Sequence, residues 1–307
     1  MKISIQTGDI VDRLGIEKGY KAIKDAGFDA IDWNIDHAWK SKDLESGDYL
    51  GKCIFEKSLD DVIEHYSYEL SVIKENGLEI TQAHAPFSGT LRKSPAVLDY
   101  AIGVYKRMIE FCAYAECKNL IIHGLPWDLS EKNLTYDDIH HMNMKMYSSL
   151  IPELQKCNVT VCLENLFTNH NSVNYQGHCS DSNQGINDID YLNKLAGKEC
   201  FGFCFDTGHA NLLHQDQRVM LMQYGSRVKA LHIHDNDGKD DLHHSPLTGR
   251  IDWNNFCEGL KLAGYKGDLS FETFRQTNMA MDFDEELLFP WMKLIYEIGN
   301  TIRNKIL

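Results

Sequence analysis

Eight short apolar runs alternate with amphipathic helical stretches from one end of the 307-residue chain to the other. Parallel strands joined by crossover helices need that alternation, and antiparallel or all-helical architectures do not. The strands read as about 2–7, 30–34, 79–84, 119–123, 159–164, 201–206, 228–234 and 268–272. Helices are expected near 16–26, 59–76, 94–117, 136–156, 186–195, 215–224, 253–263 and 283–303. Ser94-Pro95 puts proline in a first helical turn, and Gly77 stands where a helix should end. An excursion over 35–58 precedes the second helix, and two polar stretches, 167–185 and 235–250, read as long loops over the rim. Gly8 and Gly15 form no GxGxxG turn, which disfavours a doubly wound nucleotide-binding sheet. Eight strand–helix units predict instead a (β/α)8 TIM barrel, with residues 1–307 as a single domain.

Six of the runs end on a side chain that can hold a metal or move a proton: His84, His123, Glu164, Asp206, His234 and Glu272. In a barrel of parallel strands these ends gather at one rim. Alternation then says which side chains share a face. In Phe201-Gly202-Phe203-Cys204-Phe205-Asp206 the three Phe point to the helices, and Gly202, Cys204 and Asp206 point inward. By the same count Glu164 joins Thr160 and Cys162 inside, Glu272 joins Ser270, and His232 and His234 both face in. Buried carboxylates gathered in one volume raise each other's pKa, and a cation resolves the conflict. Glu164, Asp206, His234 and Glu272 therefore predict one divalent ion, and their oxygen and nitrogen donors suit Mn, Mg, Co or Zn. His209, just past the sixth strand, and Asp241 and His243, in the second loop, are candidates for additional ions such as zinc. A lone histidine at a strand end is more often a hydrogen-bonded core residue than a ligand, and Trp33, Trp127 and Trp253 are read as packing. Convergence from four strands is what points to a metal.

A formal charge of −14 disfavours nucleic acid as partner, because a polyanion is normally gripped by a basic patch. Nine scattered cysteines without a Cys-x-x-Cys pair suggest neither a zinc ribbon nor a disulfide framework, and fit small core residues in a reducing compartment. Met1 to Gln6 reads as a strand and lacks the basic start and apolar stretch of a signal peptide. No run reaches membrane-spanning length, so a cytoplasmic protein without membrane attachment is expected.

The set His84-Ala85-Pro86, His123, Glu164-Asn165, Asp206-Thr207-Gly208-His209, His234-Asp235-Asn236-Asp237, Asp241-Leu242-His243, Gly249-Arg250-Ile251-Asp252-Trp253 and Glu272 resembles the xylose isomerase-like TIM-barrel superfamily. That group contains sugar isomerases and epimerases, inosose dehydratases and the endonuclease IV enzymes, and the likeness spans about residues 80 to 275. In its sugar epimerase branch one metal is held by Glu, Asp, His and Glu. The resemblance assigns those roles to Glu164, Asp206, His234 and Glu272, with His209 near the substrate. Two positions depart from that branch: Asp240 stands where a substrate-binding Arg is usual, and His170 where another Glu is usual. Endonuclease IV enzymes hold three zinc ions with nine ligands, and residues of the right types occur at His84, His123, Glu164, Asp206, His209, His234, Asp241, His243 and Glu272. The interval from His234 to Asp241 is shorter than in those enzymes, and the charge opposes DNA.

The leading expectation is a metal-dependent isomerase or epimerase of a small sugar or sugar derivative, acting through an enediolate. Glu164 and Glu272 serve as ligands and as opposed acid and base, while His209, His84 and His123 contact the carbohydrate. A keto-sugar lyase or dehydratase on the same residues is the alternative. Zinc-dependent hydrolysis of abasic DNA, as in endonuclease IV, comes next, and a non-catalytic sugar-binding barrel last. Phosphorylated substrates are less favoured, since no Arg/Lys cluster accompanies the acids. Barrels of this kind often dimerise, so a homo-oligomer is compatible with the sequence.

Overall fold

The computed structural model describes residues 1–35, 39–131 and 133–307, with only the backbone of Lys93. Residues 36–38, within the excursion expected over 35–58, lie outside the described residues. Along the chain run β1 (Ile3–Gln6), α1 (Gly8–Leu14), α2 (Ile16–Asp25), β2 (Ala30–Asn34), α3 (Ser41–Ser46), α4 (Leu59–Glu75) and β3 (Glu79–His84). Then come α5 (Pro95–Tyr114), β4 (Asn119–Ile121), α6 (Tyr136–Ser148), α7 (Ile151–Lys156), β5 (Thr160–Glu164), β6 (Phe167–His170), β7 (Val173–Gln176) and α8 (Ser182–Ala196). The last third holds β8 (Phe201–Asp206), α9 (Thr207–Leu212), α10 (Gln217–Tyr224), β9 (Val228–His232), α11 (Trp253–Leu262), β10 (Leu269–Phe271), α12 (Phe274–Phe283) and α13 (Leu288–Ile306).

Eight strands form one sheet in the order β10-β1-β2-β3-β4-β5-β8-β9. The two strands at the ends of that order are themselves joined: Ile233 and Phe271 form a parallel bridge. Ile233 N donates to Ser270 O at 2.8 Å, and Glu272 N donates to Ile233 O at 3.1 Å. A sheet whose ends pair with each other is the (β/α)8 TIM barrel the alternation predicts.

The chain packs as two compact units. The first comprises Met1–Trp33, Glu69–Gln82 and Phe203–Leu307. Within it β1 lies between β10, with Ile3 opposite Leu269, and β2, with Ser4 opposite Ala30. β8 pairs with β9 so that Asp206 is opposite His232. The outward Phe of β8 go where alternation sends them. Phe203 stacks on Tyr224 of α10 at 3.5 Å between centroids, and Phe205 lies on Phe256 of α11 at 6.2 Å. Each such fully buried ring contributes about 1.5–3 kcal/mol relative to exposure. Asp252 caps α11 by accepting from Asn254 N and Asn255 N, and Asp216 caps α10 through Val219 N.

The second unit comprises Asn34–Tyr68 and Ala83–Gly202. β4 and β5 pair with Asn119 opposite Thr160. Tyr147 of α6 is buried and donates its hydroxyl to Ile122 O at 2.8 Å, tying helix to strand. Arg92 fixes the segment after β4, donating to Pro126 O at 2.8 Å and pairing with Asp128 and Glu131.

Four local expectations need correction. The helix read over 136–156 is two helices, because Pro152 has no N–H and its ring would clash with the Ser148 carbonyl. The polar stretch 167–185 is not a loop throughout. It contains an antiparallel hairpin, β6 with β7, whose turn residues Asn171 and Ser172 both have positive φ, 51° and 62°. α8 begins at Ser182 rather than 186, because Asp181 accepts from Asn183 N and Gln184 N. The closing helix read over 283–303 is α13, which begins only at Leu288; α1, α12 and the short α3 and α9 were not read from the pattern. All nine cysteines carry free thiols and eight are buried. Among the described residues no helix is long and apolar enough to cross a membrane.

Candidate metal centre

In the first unit, β8 ends on Asp206, which is also the N-cap of α9: its Oδ1 accepts from His209 N at 2.6 Å. This cap turns the chain so sharply that the His209 ring stands beside the carboxylate, Nδ1 to Oδ1 3.6 Å. On β9 and just beyond it, His232 and His234 share the inward face. His234 Nε2 lies 3.1 and 3.0 Å from the two Asp206 oxygens. The Thr207 hydroxyl accepts from His234 N at 2.9 Å and donates to His234 O at 2.6 Å, fixing the backbone that carries the ring. Gly208 leaves room for it, since a Cβ there would lie 1.9 Å from His234 Cε1.

The segment 235–250 delivers two more donors. Its neck is closed by the antiparallel pair Asp235–His244, N to O 2.7 and 2.9 Å. The buried Asp235 carboxylate anchors the rest, accepting from Asn236 N, Ile251 N, Leu247 N and Trp253 Nε1 at 2.9 to 3.2 Å. Trp253, read as packing from the sequence, is therefore a hydrogen-bond donor to this anchor. The fold of the segment brings Asp241 Oδ2 to 3.0 Å from His243 Nε2 and 3.6 Å from His209 Nε2. Burial alone raises the Asp241 carboxyl, but hydrogen bonds from His209 and His243 and their charge outweigh it and hold it well below the usual carboxylate range. His243 stacks on His234 at 4.0 Å and places Nδ1 3.5 Å from Glu272 Oε2, with Phe274 against its ring at 4.3 Å.

Six predicted residues are thus brought together in this unit: Asp206, His209, His234, Asp241, His243 and Glu272. Donor atoms within 4.8 Å of one another occur in the sets Asp206/His209/His234, His234/Asp241/His243 and Asp206/His232/Glu272. Two buried atoms, His234 Nδ1 and Asp241 Oδ1, have no hydrogen-bond partner among the described residues. Carboxylate oxygens and imidazole nitrogens at such spacings, with buried polar atoms unsatisfied, fit a divalent cation.

The second unit holds its own set. Glu164, buried at the end of β5, lies 2.9 Å from His123 Nε2, and His123 Nε2 lies 3.0 Å from His84 Nε2. A carbonyl only accepts, so His84 Nδ1 donates to Ala85 O at 2.7 Å and the ring presents Nε2 to His123. Phe87 meets both rings at 5.2 Å while remaining 53% exposed. Glu164, His84 and His123 are also a set able to hold a metal.

Sequence reasoning passed over Asp235, Phe87 and Asp32. Asp32 lies in the middle of β2, two residues before its last residue Asn34, so strand endings do not point to it. Phe87 lies three residues past His84 in a loop, where no periodicity marks it.

The barrel, with acids and histidines at its strand ends, defines a class that the comparisons make specific. The chain belongs to the family of xylose isomerase-like TIM barrels, whose pattern it matches over residues 20–294. The uncharacterised protein y4fM of Sinorhizobium fredii is 26% identical over 285 residues, 84% of this chain and 81% of that protein. A xylose isomerase domain protein of Alicyclobacillus acidocaldarius is similar with a TM-score of 0.69 at 18% identity, over 100% of this chain and 99% of the other. D-psicose 3-epimerase of Clostridium cellulolyticum H10, solved with D-tagatose, has a TM-score of 0.68 at 14% identity, over 98% and 99%. At these identities the likeness to solved structures is one of fold.

Proposed function

We propose that the protein is a divalent-metal-dependent isomerase or epimerase of a small sugar or sugar derivative, and that residues 1–307 act as one domain. The observation that carries this reading is the cluster of buried Asp206, His209, His234 and Glu272 with half-buried Asp241 and His243, in which the buried atoms His234 Nδ1 and Asp241 Oδ1 lack hydrogen-bond partners among the described residues. Asp206, His234 and Glu272 hold the ion, and Glu164 joins them as the family resemblance implies. A bound divalent ion supplies Lewis acidity at a substrate carbonyl and its neighbouring hydroxyl. The protein side of the reaction falls on side chains named above. Glu164 and Glu272 move the proton next to the carbonyl, one carboxylate removing it and the other returning it. His209, His84 and His123 hold substrate hydroxyls. The lack of an Arg/Lys cluster accompanying the acids in the sequence supports an uncharged carbohydrate rather than a phosphorylated one, and Asp240, in place of an Arg, departs from the ketohexose 3-epimerase pattern.

Metal analysis together with incubation of the purified chain with a panel of ketoses and keto-sugars in heavy water tests this. The expected result is one bound Mn, Co, Mg or Zn per chain and deuterium incorporation next to the carbonyl, lost in Glu164→Gln and Glu272→Gln. Full turnover in both variants would sink the acid and base assignment. A keto-sugar lyase would show the same exchange followed by loss of a group. The His84/His123/Glu164 set favours a second reading, a site of several zinc ions acting hydrolytically. Three zinc ions per chain with nicking of abasic DNA, and no exchange on any sugar, would replace the first reading by that one.

A further inference from the structure

One inward layer deeper than the ligand set, the first unit carries polar side chains where a barrel interior is ordinarily filled by branched apolar residues. Asp32 of β2 is 1% exposed, and its Oδ2 accepts from Gln82 Nε2 at 2.6 Å and from Ser270 Oγ at 3.2 Å. Gln82 Nε2 also donates to Leu231 O at 3.2 Å, so the amide that holds Asp32 is itself pinned to β9. His232, also 1% exposed, brings Nε2 to 3.5 Å from the same Asp32 oxygen. Its other nitrogen, Nδ1, lies 3.7 Å from Glu272 Oε2 and 3.9 Å from Asp206 Oδ2. Asp206 and His232 are register partners, so the ring lies directly against that carboxylate.

None of the reaction steps above uses Asp32, Gln82 or His232. A buried carboxylate facing a buried imidazole is costly beside an aliphatic core of the same volume. Aliphatic side chains, however, cannot set the orientation of carboxylates above them. On the reading that Asp206 and Glu272 hold a divalent ion, we propose that Asp32 and His232 are a positioning pair for that ion. Asp32, fixed from β3 by Gln82 and from β10 by Ser270, sets the imidazole plane through Nε2. The Nδ1 edge then restrains the Asp206 and Glu272 carboxylates together, so one ring couples ligands that arrive on two different strands. Groups that orient metal ligands in this way typically govern affinity by 10- to 100-fold.

The test measures Mn2+ affinity of the full chain by titration and the visible spectrum of the Co2+-loaded chain, in wild type, Asp32→Asn, His232→Asn and Gln82→Met. Gln82→Met removes the 2.6 Å bond to Asp32 and the 3.2 Å bond to Leu231 O, and is the mildest change to folding. The expected result is Mn2+ binding weakened about 10-fold or more in each variant, a shifted Co2+ spectrum, and metal-free urea unfolding of Gln82→Met close to wild type. Unchanged affinity and spectrum in Asp32→Asn and Gln82→Met overturn the proposal. So does weakening that only follows lost metal-free stability with the Co2+ spectrum unmoved, which is a plain structural role. Loss confined to His232→Asn makes His232 a direct ligand and overturns the pair. A wild-type chain that binds no divalent ion defeats the metal reading beneath it, and shows this before any variant is compared.

Discussion

Asp235 offers the sharpest test of how the candidate donors Asp241 and His243 are held in place. Its carboxylate is fully buried and accepts four hydrogen bonds, from Asn236 N and Ile251 N at Oδ1 and from Leu247 N and Trp253 Nε1 at Oδ2. Asp235→Ala removes all four at once. Leu247 is 68% exposed and Trp253 is half-buried, so those two donors regain water. Asn236 and Ile251 are buried and do not. Two stranded buried donors at about 1–3 kcal/mol each give a loss of about 4 kcal/mol. Asp235→Asn keeps one oxygen but turns an amide N–H2 toward donors, and is expected to lose about half as much. Urea unfolding measures both, and hydrogen exchange over 236–251 reports whether the segment carrying Asp241 and His243 has come loose. If Asp235→Ala lies within about 1 kcal/mol of wild type and exchange over 236–251 is unchanged, the anchor is not what holds Asp241 and His243.

Two further outcomes follow from packing and burial. Gly208→Ala introduces a Cβ that would lie 1.9 Å from His234 Cε1, so the ring must move: Mn2+ affinity is expected to fall at least about 10-fold with the fold retained, and unaltered affinity would remove His234 from the ligand set. His178, stacked on Tyr147 at 5.5 Å, has its imidazole drawn down to about 3 by burial, with His140 and His123 adding to it. Its folded pKa is thus below the unfolded value of about 6.5. Between those values only the unfolded chain binds the proton, so the stability due to neutral His178 is complete above about pH 6.5 and is lost as pH falls toward 3. His178→Phe should flatten the dependence of unfolding free energy on pH across that window by up to about 1.4 kcal/mol per pH unit, and an unchanged slope by urea titration would place the titrating group elsewhere.

Strand positions were legible because a period of two and a period of 3.6 are hard to confuse over whole segments. β2, β3 and β8 have the bounds their sequences suggest, and Ser94-Pro95 opens α5. Strand endings then pointed to Asp206, His234 and Glu272, which the structure gathers, because alternation fixes the face of each side chain from a single register. What escaped has local causes. Pro152 breaks a helix whose apolar periodicity continues on both sides, and Asn171-Ser172 makes a hairpin turn in a stretch that looks only polar. Asp241 and His243 reach the cluster through a segment whose course is set by the Asp235 anchor and the pair to His244, long-range hydrogen bonds that no pattern in 235–250 announces. Asp32 was missed because it sits one layer below the residues that look like ligands.

The bridge between Ile233 and Phe271 has a consequence for biosynthesis. Of the strands of this sheet β1 is made first, yet its partner β10 ends only at Phe271, and Lys2 N is bound by the Asp268 side chain at 2.5 Å. Until β10 has been made, β1 and β9 each keep an unpaired edge of the kind that recruits other chains. Glu272 arrives in the same step that joins these edges, one residue beyond β10, with its N–H on Ile233 O. Ring closure and completion of the proposed donor set are therefore a single late event. A nascent chain lacking the last strand can gather Asp206, His209 and His234 but not Glu272, so the proposed donor set is complete only when the sheet has lost its aggregation-prone edges.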